Sequence, residues 1–215
     1  MVKKVAILAN GGDISGFNAV IRAIVKTAEE HGVQCYGFID GYRGLLKNDY
    51  VALSTSDSRK ASGILPKGGS IIGSSTNANV FNYKVTELNG DVVYKDLSDI
   101  CIENMKNDGF DCLFTLGGDG TQKSARDFSL KGINVIGVPK TIDNDVACTD
   151  ITFGYNTAVS VASDALDRSL YNRRNTSQNN GFRGYGKICR LDCIRVCNSW
   201  RGRCCFDSRN SIWYK

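Results

Sequence analysis

The heptapeptide Pro139-Lys140-Thr141-Ile142-Asp143-Asn144-Asp145 decides how the fold and the function of this chain are interpreted. It follows the apolar run Ile133–Val138, which predicts a buried parallel strand, and we expect Pro139 to end that strand. A hydroxyl, two carboxylates and an amide then lie at the carboxyl end of a buried strand, where open α/β sheets bind ligands. Taken alone, the heptapeptide equally permits an Asx-turn with helix-capping side chains.

A second polar turn follows the predicted buried strand Asp111–Leu116. It reads Gly117-Gly118-Asp119-Gly120-Thr121, and a helix is predicted over Thr121–Leu130. The glycines allow the backbone to approach a phosphate, and the positive end of the helix attracts anions. A carboxylate beside phosphates is repulsive unless a cation lies between them, so Asp119 is a candidate partner of Mg²⁺. The alternative, Asp119 as a simple helix cap, does not account for Gly120.

A third glycine turn follows the predicted first strand, Val2–Ala9. This turn, Asn10–Gly16, includes Gly11 and Gly12, and it precedes an amphipathic helix with its apolar face formed by Val20, Ile21, Ile24, Val25 and Ala28. Backbone N–H groups at such a turn can bind a phosphate. Considered by itself, however, the turn favours a plain strand-to-helix connection.

The remaining elements alternate in a way that predicts an α/β fold with an open, mostly parallel sheet and helices on both faces. Further predictions are a strand at Val33–Ile39, loops at 41–45, 66–70 and 73–77, a short strand at Ile71-Ile72, a hairpin of Val85–Leu88 and Val92–Lys95 joined by Asn89-Gly90, and helices over Leu97–Asn107 and Thr157–Arg168.

The loops after three parallel strands meet at one sheet edge, which brings a glycine cradle, a metal carboxylate and a hydroxyl-facing Asp together. This combination is typical of phosphoryl transfer, which depends on positioning and charge neutralisation. Asp143 is the candidate base, because an attacking hydroxyl must lose a proton.

Charge is unevenly distributed along the 215 residues. Of 27 Lys/Arg and 22 Asp/Glu, residues 169–215 hold 10 and 2, and five of the nine Cys lie there as well. No run of 18 apolar residues occurs, so no membrane-spanning helix is expected. The short apolar N-terminus lacks a cleavage signal and predicts a strand, so we expect a cytoplasmic protein.

Four motifs together resemble the phosphofructokinase family. They are GGDISGFNAVIR (Gly11–Arg22), GGDGT (Gly117–Thr121), PKTIDND (Pro139–Asp145) and TDITFGYNTAV (Thr149–Val159). The resemblance covers residues 1–168 and implies the N-terminal, donor-binding lobe of a 6-phosphofructokinase without its second lobe. It further implies that full-length members are homo-oligomers.

The resemblance implies a role for each matching residue. Gly12, Gly118, Gly120 and Thr121 would contact the phosphoryl donor, and Asp119 would serve Mg²⁺. Thr141 and Asp143 would meet fructose 6-phosphate, with Asp143 as the proton acceptor and Asp145 supporting the loop.

Two positions bear on the donor. Gly120 is typical of ATP-using members, whereas many pyrophosphate-using members carry a second Asp there; Lys140 is common in the pyrophosphate group but also occurs in some ATP-dependent branches. ATP is therefore expected, with pyrophosphate as the alternative. The chain has no Arg between Arg59 and Arg126, where many members place a phosphate contact.

The family pattern stops at Ser169, and we interpret residues 169–215 as an out-of-frame translation rather than a native domain. Residues 182–192 can be encoded so that reading one base later gives Leu-Glu-Val-Met-Gly-Arg-Tyr-Ala-Gly-Trp, a family-like continuation. The chain as written is then expected to be inactive and to aggregate.

The residues also suggest three other interpretations. A zinc site could use Cys189, Cys193 and Cys197 with Cys204-Cys205, but paired C-x-x-C motifs are absent and the only His is His31. Lipid and NAD kinases share a GGDGT-like turn but lack PKTIDND. A basic nucleic-acid-binding protein acting through residues 169–215 is the third alternative, since this stretch holds ten Lys/Arg and two Trp.

Overall fold

A computed structural model describes residues 2–55, 61–76, 79–86, 91–173, 204–206 and 212–214. The chain forms two compact units, Met1–Gly154 and Tyr155–Lys215. The strands of the first unit are β1 (Lys4–Ala9), β2 (Gln34–Phe38), β3 (Tyr50–Leu53), β4 (Tyr83–Thr86), β5 (Val92–Lys95), β6 (Cys112–Gly117), β7 (Val135–Thr141) and β8 (Phe153–Gly154). Its helices are α1 (Phe17–Glu30), α2 (Tyr42–Lys47), α3 (Ser98–Asn107) and α4 (Asp119–Leu130), with a 3₁₀ turn at Val80–Asn82.

The main sheet has six strands in the order β3-β2-β1-β6-β7-β8. All neighbours are parallel except β2 and β3, which pair antiparallel at one edge. From the central strand β1 the chain crosses to β2 on one side, and it later returns to β6 on the other. The loops after β1 and β6 therefore leave the sheet at a topological switch point, where open α/β sheets form a ligand crevice.

Apolar side chains pack on both faces of the sheet. Alternate residues of β1 point to opposite faces: Val5 and Ile7 pack on the face covered by α1, whereas Ala6 and Leu8 pack on the face covered by α2, α3 and α4. Burial on both faces explains why β1 and β6 are almost continuously apolar. The predicted fold class, an open and mostly parallel sheet with helices on both faces, is confirmed.

Helix α1 begins at the position that the sequence pattern predicts. Gly16 precedes it with φ 84°, a backbone conformation that glycine adopts without strain. Any side chain at Gly16 would also approach the backbone nitrogen of Gly154 to 2.9 Å. Phe17, Ile21 and Val25 then lie buried on one face of the helix, which fixes the direction in which the loop after β1 leaves the sheet.

The prediction that Pro139 ends its strand is wrong. Strand β7 continues to Thr141, and Pro139 pairs with Gly117 of β6. Leu113 N donates to Asn134 O, so even-numbered residues of β7 direct their backbone groups to β6 and Pro139 directs its nitrogen to the other side. On that side β8 pairs only with Lys140 and Thr141, so the missing N–H of Pro139 breaks no sheet hydrogen bond.

Other differences concern short elements. Ile71-Ile72 lies in a turn and not in a strand. Residues 42–45 of the loop predicted at 41–45 belong to α2, and the edge strands β3 and β8 were not predicted. The predicted hairpin pairs as β4 with β5, with Val85 opposite Val93, while its turn Asn89-Gly90 lies outside the described residues.

The second unit contains α5 (Tyr155–Arg173) and a pair of antiparallel strands, β9 (Cys204–Phe206) and β10 (Ile212–Tyr214). Helix α5 confirms the predicted helix at 157–168 and extends beyond it. Within the described ranges, no helix combines the length and apolarity that a membrane crossing requires. The possible zinc site includes Cys189, Cys193 and Cys197, which lie outside those ranges. The predicted domain boundary after residue 168 stays a prediction.

Candidate functional site

The candidate site lies at the carboxyl ends of β1, β6 and β7, where three loops meet. Asn10 N donates to Leu116 O at 2.9 Å, and Asn10 Nδ2 donates to the Thr121 hydroxyl at 3.3 Å, so the first loop is tied to the second. Across the next strand, a Cβ built on Gly118 would lie 3.7 Å from the Cβ of Thr141. The GGDGT turn and the PKTIDND loop are therefore close neighbours.

The loop after β1 is lined by a second glycine- and serine-rich segment. Gly11 N donates to Ser75 O at 3.0 Å, and the Ser74 hydroxyl donates to Gly11 O. Gly11 has φ 134°, and nothing lies within 4 Å of the position that its Cβ would occupy. Gly12 is exposed. The segment predicted as a loop at 73–77 is described as far as residue 76. It therefore packs against the glycine turn through Ser74 and Ser75, and it leaves open space beside Gly11.

The GGDGT turn leaves the start of α4 available to an anion. Gly118 is the N-cap of α4, and no side chain caps the helix, so the interpretation of Asp119 as a simple cap is not supported. Gly117 allows the tight turn, because a Cβ there would come within 2.5 Å of Asn10 O. A Cβ on Gly120 would meet nothing within 4 Å. Thr121 is buried and holds the turn against Asn10.

Asp119 is exposed and forms an ion pair with Lys123 one helical turn later, with Lys123 Nζ 2.7 Å from Asp119 Oδ2. The Asp119 carboxylate is therefore already paired with a positively charged group, the Lys123 ammonium. The residues fit a Mg²⁺ ion, because Mg²⁺ keeps much of its water and needs one or two carboxylates together with substrate phosphates. Across the parts of the chain that the structure describes, no group of three or more His, Cys, Asp and Glu could form an all-protein metal site.

The PKTIDND loop turns back on itself directly after β7. Asp143 N donates to the Thr141 hydroxyl at 3.1 Å, and Asp143 is half-buried. The side chain of Asn144 (φ 50°) accepts a hydrogen bond from Thr152 N at 2.8 Å. Thr152 in turn donates its hydroxyl to Thr141 O at 2.8 Å. The loop is therefore held by Asn144 and Thr152, whereas Asp145, which was expected to support it, is exposed.

Lys140 is a charged residue buried beneath the site, with only 2% of its surface exposed. Its ammonium donates to the backbone oxygen of Asp13 and lies 4.2 Å from the centroid of the Phe17 ring. Burial lowers the pKa of Lys140 to about 8, while the negative charges of Asp13 and Asp143 oppose this shift. Lys140 thereby links the loop after β1 to the loop after β7.

The predicted site residues all lie at or just beyond the carboxyl ends of β1, β6 and β7: Gly11 and Gly12, Gly118 to Thr121, and Thr141, Asp143 and Asp145. Sequence reasoning did not assign site positions to Asn144 or to the link between Lys140 and Asp13. An Asn between two Asp in a predicted turn is a usable signal, since Asn tolerates positive φ. The Asp13 contact has no sequence signal, because it joins residues 127 positions apart.

Comparison with known proteins shows that the chain is similar in sequence to one family. The family model described as Phosphofructokinase matches residues 4–180. An ATP-dependent 6-phosphofructokinase 2 of Clostridium perfringens is 55% identical over 168 residues, which cover 78% of this chain and 45% of that protein. An ATP-dependent 6-phosphofructokinase 3 of Bacteroides thetaiotaomicron is 40% identical over 77% of this chain and 47% of its own length. The chain thus spans less than half the length of these relatives.

Solved structures give the same fold. A crystal structure of Pichia pastoris phosphofructokinase in the T-state matches 78% of this chain and 18% of its own chain, with a TM-score of 0.65 and 29% identity. A pyrophosphate-dependent phosphofructokinase from Marinobacter aquaeolei matches with a TM-score of 0.61, and at 24% identity it supports the fold alone.

Proposed function

Because the chain belongs to the phosphofructokinase family, we propose that its full-length form transfers a phosphoryl group from ATP to the 1-hydroxyl of fructose 6-phosphate in the cytoplasm, with Mg²⁺. The observation that carries the proposal is the closeness of Gly118 to Thr141, since a Cβ built on Gly118 would lie 3.7 Å from the Cβ of Thr141, so that a glycine turn and a loop with a carboxylate are neighbours. Residues 1–168 are the donor-binding lobe. Since this chain spans less than half of its relatives, the 215 residues alone are expected to have little or no activity.

Each loop has one task in this proposal. Backbone groups of Gly11, Gly12, Gly118 and Gly120 bind the donor phosphates together with Thr121, supported by the uncapped start of α4. Asp119 would hold Mg²⁺, and the ion would neutralise the charge of the phosphates. Lys123 would compete with the ion for this carboxylate, because its ammonium lies 2.7 Å from Asp119 Oδ2.

The acceptor side rests on the PKTIDND loop. Thr141 and Asp143 contact the sugar phosphate, and the Asp143 carboxylate accepts the proton of the attacking hydroxyl. The backbone hydrogen bond from Asp143 to the Thr141 hydroxyl orients the two residues relative to each other. Asp145 lies exposed in the same loop, which Asn144 and Thr152 hold in place.

Pyrophosphate is the second candidate donor. The open space beside Gly120 favours ATP, because a nucleotide needs room that a second Asp at this position would occupy. The buried ammonium of Lys140 favours pyrophosphate, since it places a positive charge beneath the donor loop near Asp13. We give precedence to ATP because Gly120 lies at the turn itself.

The test restores the reading frame after residue 168, so that the chain continues as its relatives do, and then compares ATP with pyrophosphate as donor. Asp143→Asn keeps the size of the side chain but removes the base, and we expect the turnover to fall by about 10²- to 10⁴-fold. The matched control is Asp150→Asn, because Asp150 is exposed and offers the loop only its backbone oxygen.

Three results would contradict the proposal: no turnover with either donor, equal loss in both variants, or full activity of Asp143→Asn. The alternative of a basic nucleic-acid-binding protein predicts something different. Binding would be salt-sensitive, would persist in Asp143→Asn, and would disappear when residues 169–215 are removed.

A further inference from the structure

The ion pair between Asp119 and Lys123 lies at the start of α4, beside the glycines of the GGDGT turn. Lys123 Nζ is 2.7 Å from Asp119 Oδ2, and the two residues are four positions apart in the helix. Long side chains of a helix point back towards its start, so the Lys123 ammonium reaches the first turn, where Asp119 lies. A positive charge is thereby held at the helix end to which the proposed function assigns the donor phosphates.

Helix stability alone does not account for the position of this pair. Exposed pairs four residues apart stabilise a helix only slightly. Helix α1 carries an ordinary example in its last turn, where Lys26 Nζ lies 3.9 Å from Glu30 Oε1. The pair of α4 differs because its carboxylate lies between Gly118 and Gly120, two of the candidate phosphate-binding residues. The same kind of pair can therefore act on a bound anion at this place.

An unpaired carboxylate in the GGDGT turn would oppose phosphate binding, because like charges a few ångström apart repel each other. Arginine does not supply the compensating charge from the preceding segments, since the chain has no Arg between Arg59 and Arg126. The buried ammonium of Lys140 donates to a backbone oxygen of the loop after β1. Lys123 is the cation that the structure places against this carboxylate.

We propose that Lys123 is an exchangeable substitute for the metal ion at Asp119. When no ion is bound, the Lys123 ammonium neutralises the carboxylate, so the turn can still bind a polyphosphate. When Mg²⁺ is bound at the turn, Lys123 yields the carboxylate to the ion, which its exposed side chain is free to do. The inference rests on the proposed function in one respect, that Asp119 lies beside the donor phosphates.

A substitute for the ion differs in its consequences from a lysine that binds the phosphate directly. If Lys123 acts through Asp119, removing both charges leaves a neutral turn, and binding without metal returns. If Lys123 binds the phosphate itself, removing the carboxylate as well does not replace the lost contact. Combining Asp119→Asn with Lys123→Met therefore separates the two roles.

The experiment measures the affinity of the frame-restored protein for inorganic tripolyphosphate by isothermal titration calorimetry at low ionic strength. In EDTA, Lys123→Met should weaken binding by at least about tenfold, because Asp119 then faces the phosphates unpaired. With Mg²⁺ in excess over the probe, the loss should shrink to about threefold or less, since the carboxylate is then neutralised by the ion. The double variant Asp119→Asn/Lys123→Met should bind metal-free tripolyphosphate within about threefold of the wild-type protein.

Two further variants are matched controls. Lys123→Arg keeps the positive charge and should keep the metal-free affinity. Lys26→Met removes the lysine of the comparable pair on α1 and should leave the affinity unchanged. Met and Arg are good helix formers, so both helices are preserved, and circular dichroism of the purified variants verifies folding.

Several outcomes would overturn the inference. They are no metal-free binding by the wild-type protein, unchanged metal-free binding by Lys123→Met, an equal loss with and without Mg²⁺, or an equal loss in Lys26→Met. A double variant that binds as weakly as Lys123→Met would assign Lys123 to the phosphate itself instead. Failure of the proposed function is a different result, in which the wild-type protein binds no tripolyphosphate even with Mg²⁺.

Discussion

Lys140 is the residue whose environment departs most from what its side chain requires. Its charged group is removed from water and is compensated by the Asp13 carbonyl and by the Phe17 ring. Burial lowers its pKa from 10.5 to about 8. Burying the charge therefore costs stability wherever Lys140 is protonated in the folded protein.

The sign of the pH dependence follows from this shift. Below about pH 8 Lys140 is protonated in both the folded and the unfolded chain, and the free-energy cost of burying its charge is fully present. Between about 8 and 10.5 the unfolded chain binds more protons, so this group makes the free energy of unfolding rise with pH. The total change is about 3 kcal/mol, from ~1.36 kcal/mol for each pKa unit.

We predict that Lys140→Met is more stable than the wild-type chain at pH 7 and loses this advantage by pH 10.5. Urea unfolding at several pH values measures the free energy of unfolding of each protein. The difference between the two values isolates Lys140, because the titration of the other groups is common to both proteins. Lys123→Met is the control, because Lys123 is exposed and its removal should give no such rise. A Lys140→Met difference that is independent of pH would show that Lys140 does not titrate in this window.

Gly120 is the residue that we expect to select the donor. An added Cβ there meets nothing within 4 Å, so Gly120→Asp should leave the fold intact. We predict that the variant of the frame-restored protein loses most of its ATP-dependent turnover, because the carboxylate occupies nucleotide space. Initial rates with ATP and with pyrophosphate measure the change, and unchanged ATP use would contradict the prediction.

At the level of elements, the ends of β6 and β7 are joined by one side chain from α4. Gln122 Nε2 donates to Gly117 O and to Val138 O, both at 3.0 Å. Gly137 has no side chain, and this leaves room for the amide, since a Cβ there would collide with Gln122 Oε1. One helix residue thereby holds the donor turn and the acceptor loop in register.

We predict that Gln122→Leu lowers the free energy of unfolding by about 1–3 kcal/mol, because two part-buried carbonyls lose their donor. Chemical denaturation measures the loss. In the frame-restored protein the same variant should lower turnover more than it raises the donor KM, since it disturbs the alignment of the two loops. Arg126→Leu is the control for a general effect on α4, because Arg126 is exposed and pairs with Asp127 away from the turn, and an equal loss in both variants would contradict the role of Gln122.

For the whole molecule, the central question is whether the first lobe can act alone. The family match ends near the point at which composition changes abruptly, and relatives continue for more than half their length beyond it. Among the residues that the structure describes, Ile136 of β7 is 47% exposed, although a parallel sheet is normally covered on both faces.

We predict that the 215-residue chain turns over no fructose 6-phosphate and aggregates at low concentration, whereas the frame-restored protein is soluble and active. Light scattering and a coupled assay measure the two properties. Sequencing the gene across codons 182–192 tests the origin of the tail directly. Soluble, active protein from the present chain, or codons that cannot give the shifted reading, would contradict this interpretation.

The sequence predicted the local elements that depend on nearby residues. Strand β1, helix α1 and the glycine turns follow from apolar periodicity and from glycine's backbone freedom, which are properties of a few consecutive residues. The motifs GGDGT and PKTIDND likewise identified the candidate site, because each is contiguous. The short elements α2, β3 and β8 were missed because neighbouring strands and helices stabilise them more than their own sequences do.

Only the tertiary structure decided the remaining features. Pro139 lies within a strand because its nitrogen faces the side on which pairing with β8 begins only at the next residue, Lys140. The strand order that makes this possible cannot be deduced from residues 133–145 alone. The contacts of Lys140 with Asp13 and of Gln122 with two strands join residues distant in sequence or in different elements. Such contacts arise from the register of the sheet, and a register is fixed only when all the strands have packed.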